Sequence, residues 1–176
     1  MPTLSDDDIL LGLVTKGKQS ALSKIAVRIA RRTGLDEQVI LRGLFDRERL
    51  GSMGIGRGVA IPHALLSTIY SPVASLTRLA QPIHFDGPDD DPVDLIYTVL
   101  WPSSATPTFL PALSRICRLL RAPHFREQLR LARSSDEALA TLETEPNQEF
   151  PANLGTSRLR PGIVSGLVIR GLVEQT

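Results

Sequence analysis

The chain is poor in the residues that staple small folds or bind metals. Among 176 residues there is one cysteine, Cys117, which excludes an internal disulfide framework and any cysteine-rich zinc site. Three histidines leave few candidates for imidazole chemistry, and aromatic residues make up only 5%. Charge of one sign is missing too: 20 Lys+Arg face 19 Asp+Glu, so no overall field draws the protein to nucleic acid or to an anionic membrane. No segment approaches the ~18 uninterrupted apolar residues of a membrane span, so no membrane insertion is expected. The N-terminus carries Asp6-Asp7-Asp8 where a secretory signal would be basic, so a cytoplasmic protein is expected, in keeping with a lone thiol. What is present is 42% hydrophobic residues in a length suited to one globular domain.

Apolar spacing organises the chain into helices and short strands. Leu22, Ile25, Ala26 and Ile29 share one helical face, and Gly34 follows as a C-terminal cap. Asp36 caps a second helix striped by Val39, Ile40 and Leu44, which stops before Gly51. Residues 51–63 hold four glycines and lead into Val59-Ala60-Ile61, a short strand ending at Pro62-His63. Two more strands are expected at Val73–Leu79 and Val93–Leu100, the latter apolar enough to be buried on both faces. Phe109, Leu113, Ile116, Cys117 and Leu120 mark a third helix, starting at Thr106-Pro107 or at Leu110-Pro111. Pro123 opens a fourth, and Ser134 with Glu137 forms a capping-box signature before a fifth. Helices before and after short strands predict an α/β layer architecture. Residues 1–147 read as one domain. The tail 148–176 either docks as an added strand or forms a flexible, self-associating appendage, which leaves a homo-oligomer open.

The glycine loop is not a nucleotide motif. Gly54-x-Gly56-x-Gly58 has the wrong spacing for the dinucleotide fingerprint and precedes a strand, and no Gly-Lys-Ser/Thr follows. Its plain reading is a turn that permits close backbone approach. His63 is the most informative residue, because strand ends in α/β domains are where sites tend to lie. Arg47, Arg49 and Arg57 lie nearby in sequence; such cations keep an imidazole neutral and nucleophilic and welcome a phosphoryl group. His84 and His124 read as solvated surface residues. Asp86, Asp89, Asp90, Asp91 and Asp94 lack the calcium-loop pattern and read as a polar connection, so no metal is assigned. Arg115, Arg118, Arg121, Arg126, Arg130 and Arg133 make two helices basic. The plain reading is a solvated face, and the sharper one a docking surface for an acidic partner or RNA. Near-zero total charge and sparse aromatics argue against a dedicated nucleic-acid module.

The run from Arg47-Glu48 through Gly51-Ser52, Gly54-Ile55-Gly56 and Gly58 to Ala60-Ile61-Pro62-His63 closely resembles the active-site signature of the IIA domain of the fructose/mannitol class of the bacterial sugar phosphotransferase system. Within that class it is most similar to the nitrogen-related regulatory branch. Pro82-Ile83-His84-Phe85-Asp86, Pro92–Tyr97, Leu129-Arg130 and Ser135–Leu139 agree with it in order, so the resemblance spans roughly residues 5–145. It implies a mixed β-sheet flanked by helices on both faces. It implies that His63 accepts a phosphoryl group from an HPr-like carrier, that Arg47 neutralises the phosphoryl oxygens, and that Glu48 anchors either the loop or that arginine. Ser52, Gly54, Gly56 and Gly58 would support the loop. No cofactor is required. In the regulatory branch, phosphorylation state controls target proteins, whose identity the sequence does not give. Three departures stand out. Phe109 occupies the place of the family's second active-site histidine, Met53 that of a frequent threonine, and Ala64 that of a glycine. Phe109 makes a non-transferring interaction module the competing reading. Neither nitrogen of His63 is singled out.

Overall fold

The structure is a computed structural model and describes residues 2–144; the expectations for the tail 148–176 fall outside the described residues. A 3₁₀ turn at Asp6–Asp8 leads into β1 (Ile9–Leu13), followed by α1 (Lys18–Thr33) and α2 (Glu37–Arg49). Then come β2 (Gly54–Gly56), β3 (Val59–Ala60), β4 (His63–Leu66), β5 (Val73–Ile83) and β6 (Val93–Pro102). Three helices close the described region: α3 (Thr106–Arg121), α4 (Pro123–Leu131) and α5 (Ser135–Glu143).

The six strands form one mixed sheet in the order β1-β5-β6-β3-β2, with β4 also paired to β6. β1 runs parallel to β5, and β5 antiparallel to β6. β3 and β4 both run parallel to β6 in a single unbroken register, Val59 beside Leu95, His63 beside Val99 and Leu66 beside Pro102. They are one lane interrupted where Pro62 has no amide to donate. The Pro62 carbonyl still accepts the Val99 N–H at 2.8 Å, and the Ile61 N–H turns away to the Met53 carbonyl at 2.8 Å. His63 therefore opens β4 in the middle of a lane; it does not end a strand, as the sequence suggested.

From Leu95 onward the side chains of β6 alternate between two cores, as the strand period requires. Leu95, Tyr97, Val99 and Trp101 pack with Phe109, Ile116, Leu120, Phe125 and Leu129 from α3 and α4 and Leu142 from α5. Ile96 and Leu100 pack with Leu22, Ile25 and Ile29 of α1 and Ile40 and Leu44 of α2. Each such fully buried aliphatic or aromatic side chain contributes roughly 1.5–3 kcal/mol relative to exposure. His63 shares the parity of Val59 and Ile61, and so belongs to the α3 side of the sheet.

Local chemistry accounts for the helix boundaries. The Asp36 carboxylate accepts the Gln38 N–H at 2.7 Å, and Gly34 ends α1 at φ 72°. The Ser134 hydroxyl accepts the Glu137 N–H at 3.2 Å, but the Glu137 carboxylate reaches the Arg133 N–H, so the predicted capping box is only half closed. α3 begins at Thr106 and carries Pro111 inside it. Pro111 removes a donor only from the Pro107 carbonyl, in an exposed first turn where solvent serves. The basic stripe is divided. Arg126 turns inward and donates to the carbonyls of Leu120 and Arg121, and Arg130 pairs with Asp94 at 2.7 Å. Arg115, Arg121 and Arg133 stay exposed.

Candidate functional site

The last turn of α2 carries Arg47 and Glu48, and the loop that follows folds back onto the β3–β4 lane, with Met53 hydrogen-bonded to Ile61 and His63. Arg47 Nε donates to His63 Nε2 at 2.9 Å, and Arg47 Nη1 donates to the Gly51 carbonyl at 3.1 Å. On the other side of the ring, His63 Nδ1 lies 2.8 Å from the Ile61 carbonyl. A carbonyl only accepts and a guanidinium only donates, so the network assigns the proton to Nδ1 and the lone pair to Nε2. His63 is 9% exposed. Burial is the leading cause that holds its pKa below the usual imidazole value; the Ile61 hydrogen bond works against this, and the Arg47 charge adds to it. The resting ring is thus neutral, with burial rather than surrounding cations as the main reason. Of the three arginines nearby in sequence, only Arg47 reaches the ring. Arg49 pairs with Asp46 at 3.4 Å, and the Arg57 backbone engages Asp89 and Arg130.

Glu48 contacts the loop and α1 through its two carboxylate oxygens. Its Oε2 accepts the Met53 N–H at 3.2 Å, while its Oε1 accepts from Lys18 Nζ at 2.6 Å. Met53 in turn receives the His63 N–H on its sulfur at 3.3 Å, so the thioether supplies an acceptor in the absence of a threonine hydroxyl. Ser52 donates to the Phe85 carbonyl at 2.7 Å and accepts the Gly54 N–H at 3.1 Å, pinning the loop to the β5–β6 connection. A Cβ at Gly54 would lie 2.9 Å from the Gly87 backbone. Gly58, at φ 76°, packs where a Cβ would meet Arg130 and Asp94. Gly56 and Gly58 shape the β2–β3 hairpin against Asp89, Asp94 and Arg130, one step removed from His63.

Phe109, at the start of α3, lies with its ring 5.4 Å from the His63 ring and 5.8 Å from Trp101. It backs the imidazole with apolar surface and offers no hydrogen bond. His84 is exposed and meets Asp86 at 3.1 Å, and His124 is exposed in the first turn of α4. Among the described residues no cluster of His, Cys, Asp and Glu could hold a metal ion, and no helix is long and apolar enough to cross a membrane. Sequence reasoning missed Lys18, which gives no motif signal: it is a single lysine at a helix start, brought to Glu48 only by the packing of α1 on α2.

Residues 3–145 match the family model described as phosphoenolpyruvate-dependent sugar phosphotransferase system, EIIA 2. A nitrogen regulatory protein of Bradyrhizobium diazoefficiens is 36% identical over 143 residues, covering 81% of this chain and 94% of that protein. One from Pseudomonas aeruginosa is 39% identical over 120 residues, covering 68% and 78%. The crystal structure of nitrogen regulatory protein IIA-Ntr from Neisseria meningitidis superimposes with a TM-score of 0.76 at 32% identity, covering 80% of this chain and 96% of that one. The Escherichia coli enzyme IIA for mannitol, solved in complex with its phosphorylated IIB, shares the fold at a TM-score of 0.66 and 18% identity. With its mixed sheet between two helical layers and its arginine-backed histidine, the chain belongs to the EIIA 2 family of the phosphoenolpyruvate-dependent sugar phosphotransferase system.

Proposed function

We propose that the protein is a histidine phosphocarrier of the regulatory kind, accepting a phosphoryl group on His63 Nε2 from an HPr-like protein and acting on target proteins according to its phosphorylation state. The observation that carries this reading is the pair of hydrogen bonds on the His63 ring, which leaves the nucleophilic lone pair on Nε2, facing the Arg47 guanidinium. In the step, the Nε2 lone pair attacks phosphorus in line while the bond from phosphorus to the donor imidazole breaks and that imidazole leaves with its electron pair. His63 keeps its Nδ1 proton, and the Ile61 carbonyl stabilises the positive ring that results. Arg47 releases Nε2 and follows the charge onto the phosphoryl oxygens. Leu50 just after α2, Leu65 in β4 and Leu110 in α3 are exposed apolar residues suited to a protein donor.

The test is labelling from phosphoenolpyruvate through the upstream kinase and the carrier. Wild type should take up one phosphate and His63→Ala none; equal incorporation by the variant would reject His63. Phe109 favours a second reading, a module of the same family that binds partners without transfer. Native mass spectrometry after carrier treatment separates the two, since that module gains no phosphate mass.

A further inference from the structure

Lys18, the first residue of α1, joins three elements around the loop. Its ammonium donates to Glu48 at the end of α2 and to Asp86 in the β5–β6 connection, and it stands 5.5 Å from the Phe85 ring. Burial opposes its charge, but the hydrogen bonds to Asp86 and Glu48 prevail and raise its pKa above the usual lysine value. The charged groups facing His63 are Arg47 and Glu48, both from α2; Met53, Ile61 and Phe109 supply only a sulfur, a carbonyl and a ring. Glu48 therefore has two opposed effects. Its carboxylate holds the Met53 amide in place, yet it is an anion beside a site that must receive a dianion.

We propose that Lys18 is a positioning residue for transfer at His63, compensating the Glu48 charge so that this carboxylate fixes the loop without repelling the incoming phosphoryl group. The proposal rests on the phosphocarrier reading. Lys18 also lines a cavity of about 520 Å³ with Ser52, Arg49 and Asp86.

Four variants test it: Lys18→Met, Lys18→Arg, Glu48→Gln and the double Lys18→Met/Glu48→Gln. The His63 titration is followed by NMR and the initial rate of labelling by the phosphorylated carrier. In Lys18→Met the uncompensated carboxylate should move the His63 titration upward and slow labelling on the order of tenfold. Lys18→Arg should restore both, and Glu48→Gln in the Lys18→Met background should bring the titration back. A merely structural lysine would not be rescued by removing a charge on its partner. An unmoved titration in Lys18→Met, or a shift that persists in the double variant, overturns the proposal. If Lys18→Met does not fold, Glu48→Gln alone decides: His63 should then titrate lower than in wild type, and an unchanged value refutes the role. The titration needs no phosphate, so failure of the phosphocarrier reading shows separately as absent labelling in every variant.

Discussion

Replacing Phe109 with histidine places a hydrogen-bonding group beside His63, and the structure sets both sides of the outcome. Phe109 is 6% exposed and wedged between the rings of His63 and Trp101. Full truncation of a buried phenylalanine costs about 3–5 kcal/mol. An imidazole refills part of that space but brings two nitrogens into apolar surroundings, so a loss of about 2–3 kcal/mol is expected. For a domain of this size that lowers Tm by roughly 5–10 °C. On the other side, ring centroids 5.4 Å apart put the introduced N–H within reach of a phosphoryl group on His63 Nε2. One hydrogen bond to that charged group is worth about 1.5–3 kcal/mol. Phosphohistidine should then hydrolyse on the order of ten to a hundred times more slowly. Calorimetry of the free protein and the decay of the ³¹P signal at fixed pH read the two effects. A folded variant with an unchanged phosphohistidine lifetime would refute the placement of Phe109 beside the acceptor nitrogen.

Two further outcomes follow from the site. Arg47→Met removes the guanidinium that donates to His63 Nε2, and under the proposed phosphocarrier function labelling should slow on the order of a hundred- to a thousandfold in stopped-flow or quench assays. The pKa of His63 is depressed in the folded state, so the unfolded chain binds its proton first as pH falls. Stability from this residue is complete above the ordinary histidine value of 6.5 and is lost as pH falls from there through the folded-state pKa. In urea titrations between pH 7.5 and 5, wild type should show that loss of midpoint, and His63→Gln a flatter profile.

Much of this was readable from residue order. The faces of α1 and α2, the caps at Asp36 and Gly34, and the doubly buried β6 follow from period and cap chemistry alone. What escaped has a common physical cause: it depends on partners distant in sequence. β1 is a five-residue edge strand whose hydrogen bonds come from β5, more than sixty residues on, and nothing in Ile9–Leu13 announces them. β2 is built from Gly54-Ile55-Gly56, which has little strand propensity of its own and pairs because β3 lies alongside. Arg126 has the spacing of a surface residue, yet the open carbonyls at the end of α3 draw it inward. At the site, His63 and Arg47 were legible because a long motif holds them. The lone-pair nitrogen became visible only with the Ile61 carbonyl in view, and Lys18 only with α1 set against α2.

The shared register of β3 and β4 along β6 also dictates where this lineage tolerates length variation. Adding or deleting one residue between Val59 and His63 would invert the pleat and swing the imidazole through the sheet into the α1–α2 layer, away from Phe109. The β2–β3 turn and the connection before Val93 carry no such parity constraint. Gaps among relatives should accumulate in those two places, while the four-residue step from Val59 to His63 stays invariant.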